Sequence, residues 1–291
     1  MRVPSRQLAA VLLLSGSLAA AAPTPELTLW RDPTFRKQFM GTYGVNTEIE
    51  PSVTTVEKEQ MEKVLAMMGE EGGMAKASAY LEKIIKPSSS AIFDFTLANM
   101  YFQQDKLELA ATWYERATKK FPSFLRAQKN LGMVLVRAGK HEEAVEPLTL
   151  SIQLGAADGL TFGLLGFAHL MTDEFTSAEG AYRQAMMLQP GTEDWRMGLA
   201  RCLFKQRKYE EAVTLCGELI RRSPDRNDFW KLQANAFLGM QKPLKAAENY
   251  EFLDASGASD AGTLNTLGDI YVNAGLMDLA ADAYMRAIDK A

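Results

Sequence analysis

Histidine and cysteine are scarce in this chain, with two of each among 291 residues, which leaves little material for metal or thiol chemistry. Neither His141 nor His169 sits in a Cys/His/carboxylate ligand motif, so both read as structural histidines and no metal site is expected. No Gly-rich phosphate loop, Ser/His/Asp set or nucleophile elbow is visible. The paired carboxylates Glu142–Glu143 and Glu210–Glu211 fall where second helices are expected to start, and the helix dipole accounts for them there. The expectation is a protein without catalytic residues or cofactors.

Basic charge is also in short supply, with 32 Lys and Arg against 36 Asp and Glu. A mildly acidic chain lacks the basic footprint that nucleic acid requires. No apolar run approaches the roughly 18 residues that read as a membrane span. The start of the chain has a shorter one. Arg2 and Arg6 precede the apolar stretch Leu8 to Leu14, and Ala19–Ala20–Ala21 follows, so residues 1–21 read as a secretory signal. The expectation is an exported protein, periplasmic in a bacterium or else secreted, with no stable membrane insertion after signal removal.

What the chain has in abundance is repetition. Ala110, Ala144, Ala178, Ala212, Ala246 and Ala280 stand 34 residues apart. Ala98, Gly132, Gly166, Ala200, Ala234 and Gly268 form a second ladder, and Tyr114, Leu148, Tyr182, Cys216, Tyr250 and Tyr284 a third. In the third copy Phe162, Leu165, Gly166 and Leu170 have helical spacing, as do Ala178, Ala181, Tyr182, Ala185 and Met186. The polar turn Thr172–Asp173–Glu174 separates them. Each copy is therefore a helix–turn–helix hairpin, and the small residues mark the crossing of its helices. Copies span 91–124, 125–158, 159–192, 193–226, 227–260 and 261–291. Ahead of them, 54–89 reads as a degenerate capping hairpin opened by a capping box at Thr54 and Glu57. Residues 22–53 read as an irregular arm with a short helix starting at Asp32–Pro33. Its aromatics Trp30, Phe35, Phe39 and Tyr43 suggest that it docks, either over the first hairpin or, on a sharper reading, in the groove or against a partner.

The residues Leu97, Ala98, Tyr101, Ala110, Tyr114, Ala117 and Pro122 of the first copy resemble the tetratricopeptide repeat, as do Leu267, Gly268, Tyr271, Ala280, Tyr284 and Ala287 of the sixth. Ser151, Leu219 and Leu253 depart from the pattern at its later alanine. The resemblance implies an all-α solenoid of stacked hairpins in a right-handed superhelix, whose first helices line a concave face that holds other proteins or peptides. Carried onto this chain, groove positions include Phe95, Asn99, Phe102, Lys129, Asn130, Met133, Leu164, Phe167, Met171, Arg201, Phe204, Lys231 and Asn235. Lys231 and Asn235 resemble half of the family's clamp for a peptide carboxylate, but Thr266 stands where the next Asn should be. The groove reads as apolar with a basic strip, suited to an amphipathic helix or an extended apolar peptide. Cys202 and Cys216 fall on the two helices of the fourth copy, and an oxidising compartment would permit a bridge there; buried thiols are the alternative. The functional expectation is a non-catalytic scaffold or adaptor of the cell envelope. Its alternative is a structural, self-assembling (homo-oligomeric) component, with attachment to an export or energy-transduction complex as a weaker idea.

Overall fold

The structure, a computed structural model, describes residues 48–290. The expected signal, the aromatic part of the arm and Ala291 lie outside the described residues. All regular structure among the described residues is helical: α1 (Thr55–Met68), α2 (Gly73–Ile84), α3 (Ala91–Gln103), α4 (Leu107–Lys120), α5 (Leu125–Arg137), α6 (His141–Gln153), α7 (Gly159–Met171), α8 (Phe175–Leu188), α9 (Glu193–Lys205), α10 (Tyr209–Arg222), α11 (Asn227–Gly239), α12 (Pro243–Ala255), α13 (Ala261–Asn273) and α14 (Met277–Asp289). The arrangement is all-α and of the solenoid class. Two compact units divide the chain, residues 1–134 and 135–291, with the boundary inside α5.

In the first unit α1 packs on α2, α2 on α3 and α3 on α4. Thr54 caps α1: its side chain accepts from the Glu57 amide, and the Glu57 carboxylate accepts from the Thr54 amide. The same carboxylate takes the Ser90 amide at 2.7 Å, which ties the start of α1 to the start of α3. Burial pushes the Glu57 carboxyl up, but these hydrogen bonds outweigh it and hold it below its ordinary value. α3 is apolar almost all round and is buried accordingly, through Phe93, Phe95, Leu97 and Met100. A carboxylate is buried with them. Asp94 is fully enclosed, paired with Lys120 and Arg116 of α4. The Lys120 ammonium also donates to the carbonyls of Lys86 and Ser89 at 3.0 and 3.2 Å, closing the loop between α2 and α3.

In the second unit α6 to α14 pack each on the next. First helices of neighbouring copies also touch, α7 with α9 and α9 with α11, so they share one face. The ladder alanines Ala144, Ala178, Ala212 and Ala246 have no exposed surface. At Gly166 and Gly268 of the second ladder a tyrosine ring fills the space: a Cβ on Gly268 would lie 2.5 Å from the Tyr284 ring. Close approach of two helices is what the small residue provides.

Every copy turns between its helices by one device. The backbone is left-handed at Asp105, Gly139, Asp173, Arg207, Gln241 and Gly275, again 34 apart. The following amide reaches back five residues, as in Glu174 to the His169 carbonyl and Lys208 to the Leu203 carbonyl, at 2.8 and 2.9 Å. This is a Schellman ending, which glycine suits best and which other L-residues adopt at a cost of about 1–2 kcal/mol. Gln241→Gly is therefore expected to stabilise the fold by about 0.5–1 kcal/mol in urea unfolding, the relief exceeding glycine's greater entropy loss. A loss of stability would show that Gln241 makes a contact worth more than its strain.

Asp254 joins α12 to α14. It accepts from Ser259, from Arg286 and from Lys290, the last at 2.9 Å. The Ser259 bond leads in lowering the carboxyl to about 2, with Lys290 and Arg286 adding to it against the opposing effect of burial. A depressed carboxylate stabilises the fold above its unfolded value, near 3.8, and that stability is lost as pH falls toward 2. Asp254→Asn should lower unfolding free energy by about 1–2 kcal/mol at pH 6 and by much less at pH 2.5. An equal deficit at both pH values would place the effect in packing instead.

Candidate functional site

The site begins with the ninth residue of each copy, on the first helix, and the tyrosine ladder fifteen residues later. In the first copy Tyr114 donates to the Asn99 side-chain carbonyl. In the fifth Tyr250 donates to Asn235 at 2.7 Å, and in the sixth Tyr284 donates to Asp269 at 2.6 Å. In the second, third and fourth copies the corresponding pairs are Met133 with Leu148, Phe167 with Tyr182, and Arg201 with Cys216. The ninth residue is therefore locked into its own hairpin in the outer copies, and of a different chemical type in the middle ones.

These bonds bear on the expected groove. The side-chain oxygens of Asn99 and Asn235 each accept from the tyrosine of their own copy. Asn130 donates to Asn99 at 3.2 Å and to the Tyr114 hydroxyl at 3.3 Å. Lys231 pairs with Asp260 at 3.3 Å, with both side chains exposed. Phe95 is 3 % exposed, packed 4.9 Å from Phe124 and 5.7 Å from Tyr114 between ring centroids. It belongs to the core. Phe102, Lys129 and Met133 are half-buried in the first unit.

The first unit has a further feature at the start of α5. The guanidinium of Arg126 lies 5.2 Å over the Phe95 ring and grips Glu50 with two hydrogen bonds, Nε to Oε1 at 2.6 Å and Nη2 to Oε2 at 2.7 Å. The Leu125 amide, first in α5, donates to the Ile49 carbonyl at 3.2 Å, and the Ser123 hydroxyl donates to the Glu48 carbonyl at 2.6 Å. Pro51 is buried, and the Ser52 carbonyl accepts from the Ser90 hydroxyl at 2.7 Å. The end of the arm thus lies between the starts of α3 and α5.

In the second unit the expected residues gather on α7 and α9. Leu164, Phe167 and Phe204 are half-buried, Met171 is 52 % exposed, and Arg201 is exposed. Phe167 and Phe204 rest on an apolar cluster that contains Leu170, Tyr182, Leu199, Cys202 and Leu203. His141 stands edge-on to Phe167 at 5.3 Å, and Tyr209 lies 5.6 Å from Phe204. Half-buried and exposed apolar side chains therefore share α7 and α9 with the cationic Arg201. His169 faces Glu174 at 2.7 Å and takes no part in it.

The bridge considered for the fourth copy is not formed: Cys202 and Cys216 are both free and buried. Cys202 packs in the apolar cluster just described, and Cys216 takes a place on the tyrosine ladder, so each serves as a small apolar side chain. Burial is the main reason both thiols are pushed up to about 12. Neither should react with Ellman's reagent at pH 8 in the native protein, and both should react in denaturant without reductant. Failure to react in denaturant would show a bridge.

Models of the tetratricopeptide repeat match residues 95–158, 169–236 and 231–291. The intraflagellar transport protein 70A of Bos taurus is 30% identical over 157 residues, which is 54% of this chain and 23% of that protein. The mitochondrial import receptor subunit TOM70 of Saccharomyces cerevisiae is 28% identical over 150 residues, 48% of this chain and 24% of that one. The chain spans about a quarter of the length of these relatives. Among solved structures, a tetratricopeptide repeat protein from Parabacteroides merdae superposes with a TM-score of 0.55 at 16% identity, covering 81% of this chain and 94% of its own. YrrB, a repeat protein with an unusual peptide-binding site, gives 0.52 at 21% identity, covering 72% and 96%. The repeat pattern, the hairpins and the matched models agree: the chain belongs to the tetratricopeptide repeat family.

Proposed function

We propose that this interaction scaffold is exported to the cell envelope and holds a peptide or amphipathic helix against α7 and α9. One observation carries the proposal. In the third and fourth copies the ninth residues are Phe167 and Arg201, with no asparagine–tyrosine lock, and they share α7 and α9 with Leu164, Met171 and Phe204. Apolar anchors beside a cation suit a ligand whose apolar side chains are followed by an acidic one. No residue on this surface forms a nucleophile–base pair, and the role is binding without catalysis. Met171 and Arg201 are exposed, so Met171→Glu with Arg201→Glu should leave the fold intact. The variant is expected to lose at least tenfold in affinity for peptides selected on the native protein; unchanged affinity would move the site elsewhere. Export rests on Arg2, Arg6, Leu8 to Leu14 and the alanines that follow. N-terminal sequencing of protein from the native envelope should begin near residue 22, and a chain that keeps Met1 would contradict it.

A second reading, self-assembly, is favoured by α14. Met277, Met285 and Ile288 are 60, 66 and 73 % exposed at helical spacing. On this reading mass rises with concentration, and Ile288→Glu abolishes the rise. A monomer at high concentration would exclude it.

A further inference from the structure

We infer that the surface between the starts of α3 and α5 is itself a peptide site, that residues 48–52 occupy it in cis, and that its ligand class is a short non-helical peptide bearing a carboxylate side chain. The segment is bound as a separate peptide would be. It has no helical structure, and two of its main-chain carbonyls are taken by the Ser123 hydroxyl and the Leu125 amide. A third, that of Ser52, is taken by Ser90. Its one acidic side chain between those contacts, Glu50, meets Arg126 in a two-point grip. Such paired bonds give directional recognition that a lysine could not provide.

Three separate elements build the receiving surface. Phe95 of α3 and Phe124 ahead of α5 supply the apolar floor, and Arg126 lies over both rings, at 5.2 and 5.8 Å. The Leu125 amide at the start of α5 supplies the donor for Ile49, and the helix start favours negative charge nearby. Arg126 and Glu50 are 30 and 12 % exposed, so the ion pair is shielded without being sealed in. Main-chain capture plus the Glu50 anchor specifies a short ligand and selects for Glu or Asp at that position. This chain already carries such a ligand, tethered to the start of α1, and its own copy competes with any outside peptide. The tether supplies an effective concentration in the millimolar range, so an outside ligand gains access only when the cis segment is displaced.

The probe is a fluorescein-labelled peptide of residues 46–54, followed by anisotropy against the full chain. Three proteins are compared: the native chain, a chain in which residues 48–52 are replaced by Gly-Ser-Gly-Ser-Gly, and the same replacement with Arg126→Ala. The replaced chain is expected to bind the peptide at least tenfold more tightly than the native chain, and Arg126→Ala to abolish that gain. A peptide with Gln in place of Glu50 should bind at least tenfold more weakly. Circular dichroism and a thermal melt establish that each variant is folded. Glu50→Ala in the otherwise native chain is the second variant, expected to bind more tightly than native and less tightly than the replaced chain. If the folded variants bind no peptide, residues 48–52 are a brace and the inference fails. It fails equally if the native chain binds as tightly as the replaced one, or if the Gln peptide binds as well as the Glu peptide.

Discussion

Tyr182→Ala is expected to destabilise the second unit by about 3–5 kcal/mol, the range for removing a fully buried aromatic ring. Tyr182 is 2 % exposed and fills two spaces at once. Its ring lies 3.0 Å from where a Cβ would stand on Gly166 in its own copy, and its Cζ 2.2 Å from a Cβ on Gly198 in the next. The sequence thus removes two side chains to seat one ring between α7, α8 and α9. Deleting the ring leaves a cavity faced by two glycines, which have nothing to move into it. Urea unfolding measures the cost, and hydrogen exchange should show it concentrated in α7 to α9, because repeats depend mainly on their neighbours. The same geometry predicts non-additivity. Gly198→Ala should be damaging in the native chain, where the new methyl meets the ring, and nearly neutral when combined with Tyr182→Ala. A cost below about 1.5 kcal/mol for Tyr182→Ala would mean that the neighbouring helices collapse into the space.

Lys120→Met should be comparably severe at pH 7, by about 3–5 kcal/mol, since it leaves a fully enclosed carboxylate short of its nearer cation. Arg116 remains at 3.2 Å but is itself 41 % exposed and cannot replace the better shielded ammonium of Lys120, whose side chain is 19 % exposed. Burial already holds the Asp94 carboxyl above its ordinary value, despite Lys120 and Arg116. A raised carboxyl favours the fold most below its unfolded value, and that contribution is lost as pH rises through the folded value. Removing Lys120 raises it further. The deficit of Lys120→Met should therefore shrink as pH falls from 7 toward 4.5, while the native protein changes far less. Adding Asp94→Leu should restore most of the loss, because replacing both partners of a buried pair is often neutral. A pH-independent deficit would show that the bonds from Lys120 to the Lys86 and Ser89 carbonyls matter more than the charge.

The fold was legible because period and small residues are backbone-level signals. The alanine ladder reports helix crossings directly, and every copy obeys it. The left-handed turn was legible only where glycine marks it, at Gly139 and Gly275; Asp105, Asp173, Arg207 and Gln241 occupy the same backbone without advertising it. The surface was harder. Asn99 and Asn235 carry polar groups at groove positions, and position alone does not reveal that a tyrosine fifteen residues later already uses them. The signal was present in the pairs Asn99–Tyr114, Asn235–Tyr250 and Asp269–Tyr284, read as pairs and not as separate ladders. Phe95 was misplaced for another reason. Its burial depends on Phe124 and on Arg126, which is held by Glu50 76 residues away, a contact that no local pattern contains. Leu164, Phe167, Met171, Arg201 and Phe204 do lie on α7 and α9, the first helices that touch.

The most direct test of the binding surface is a photo-crosslinking amino acid placed at Phe167 and, separately, at Met187, an exposed position on α8. Expressed in the native cell and irradiated, the chain labelled at position 167 should capture a second protein, and the one labelled at 187 should not. The capture should disappear when Met171→Glu and Arg201→Glu are added. Equal capture at 187, or capture at 167 that survives both charge reversals, would contradict a ligand seated on α7 and α9.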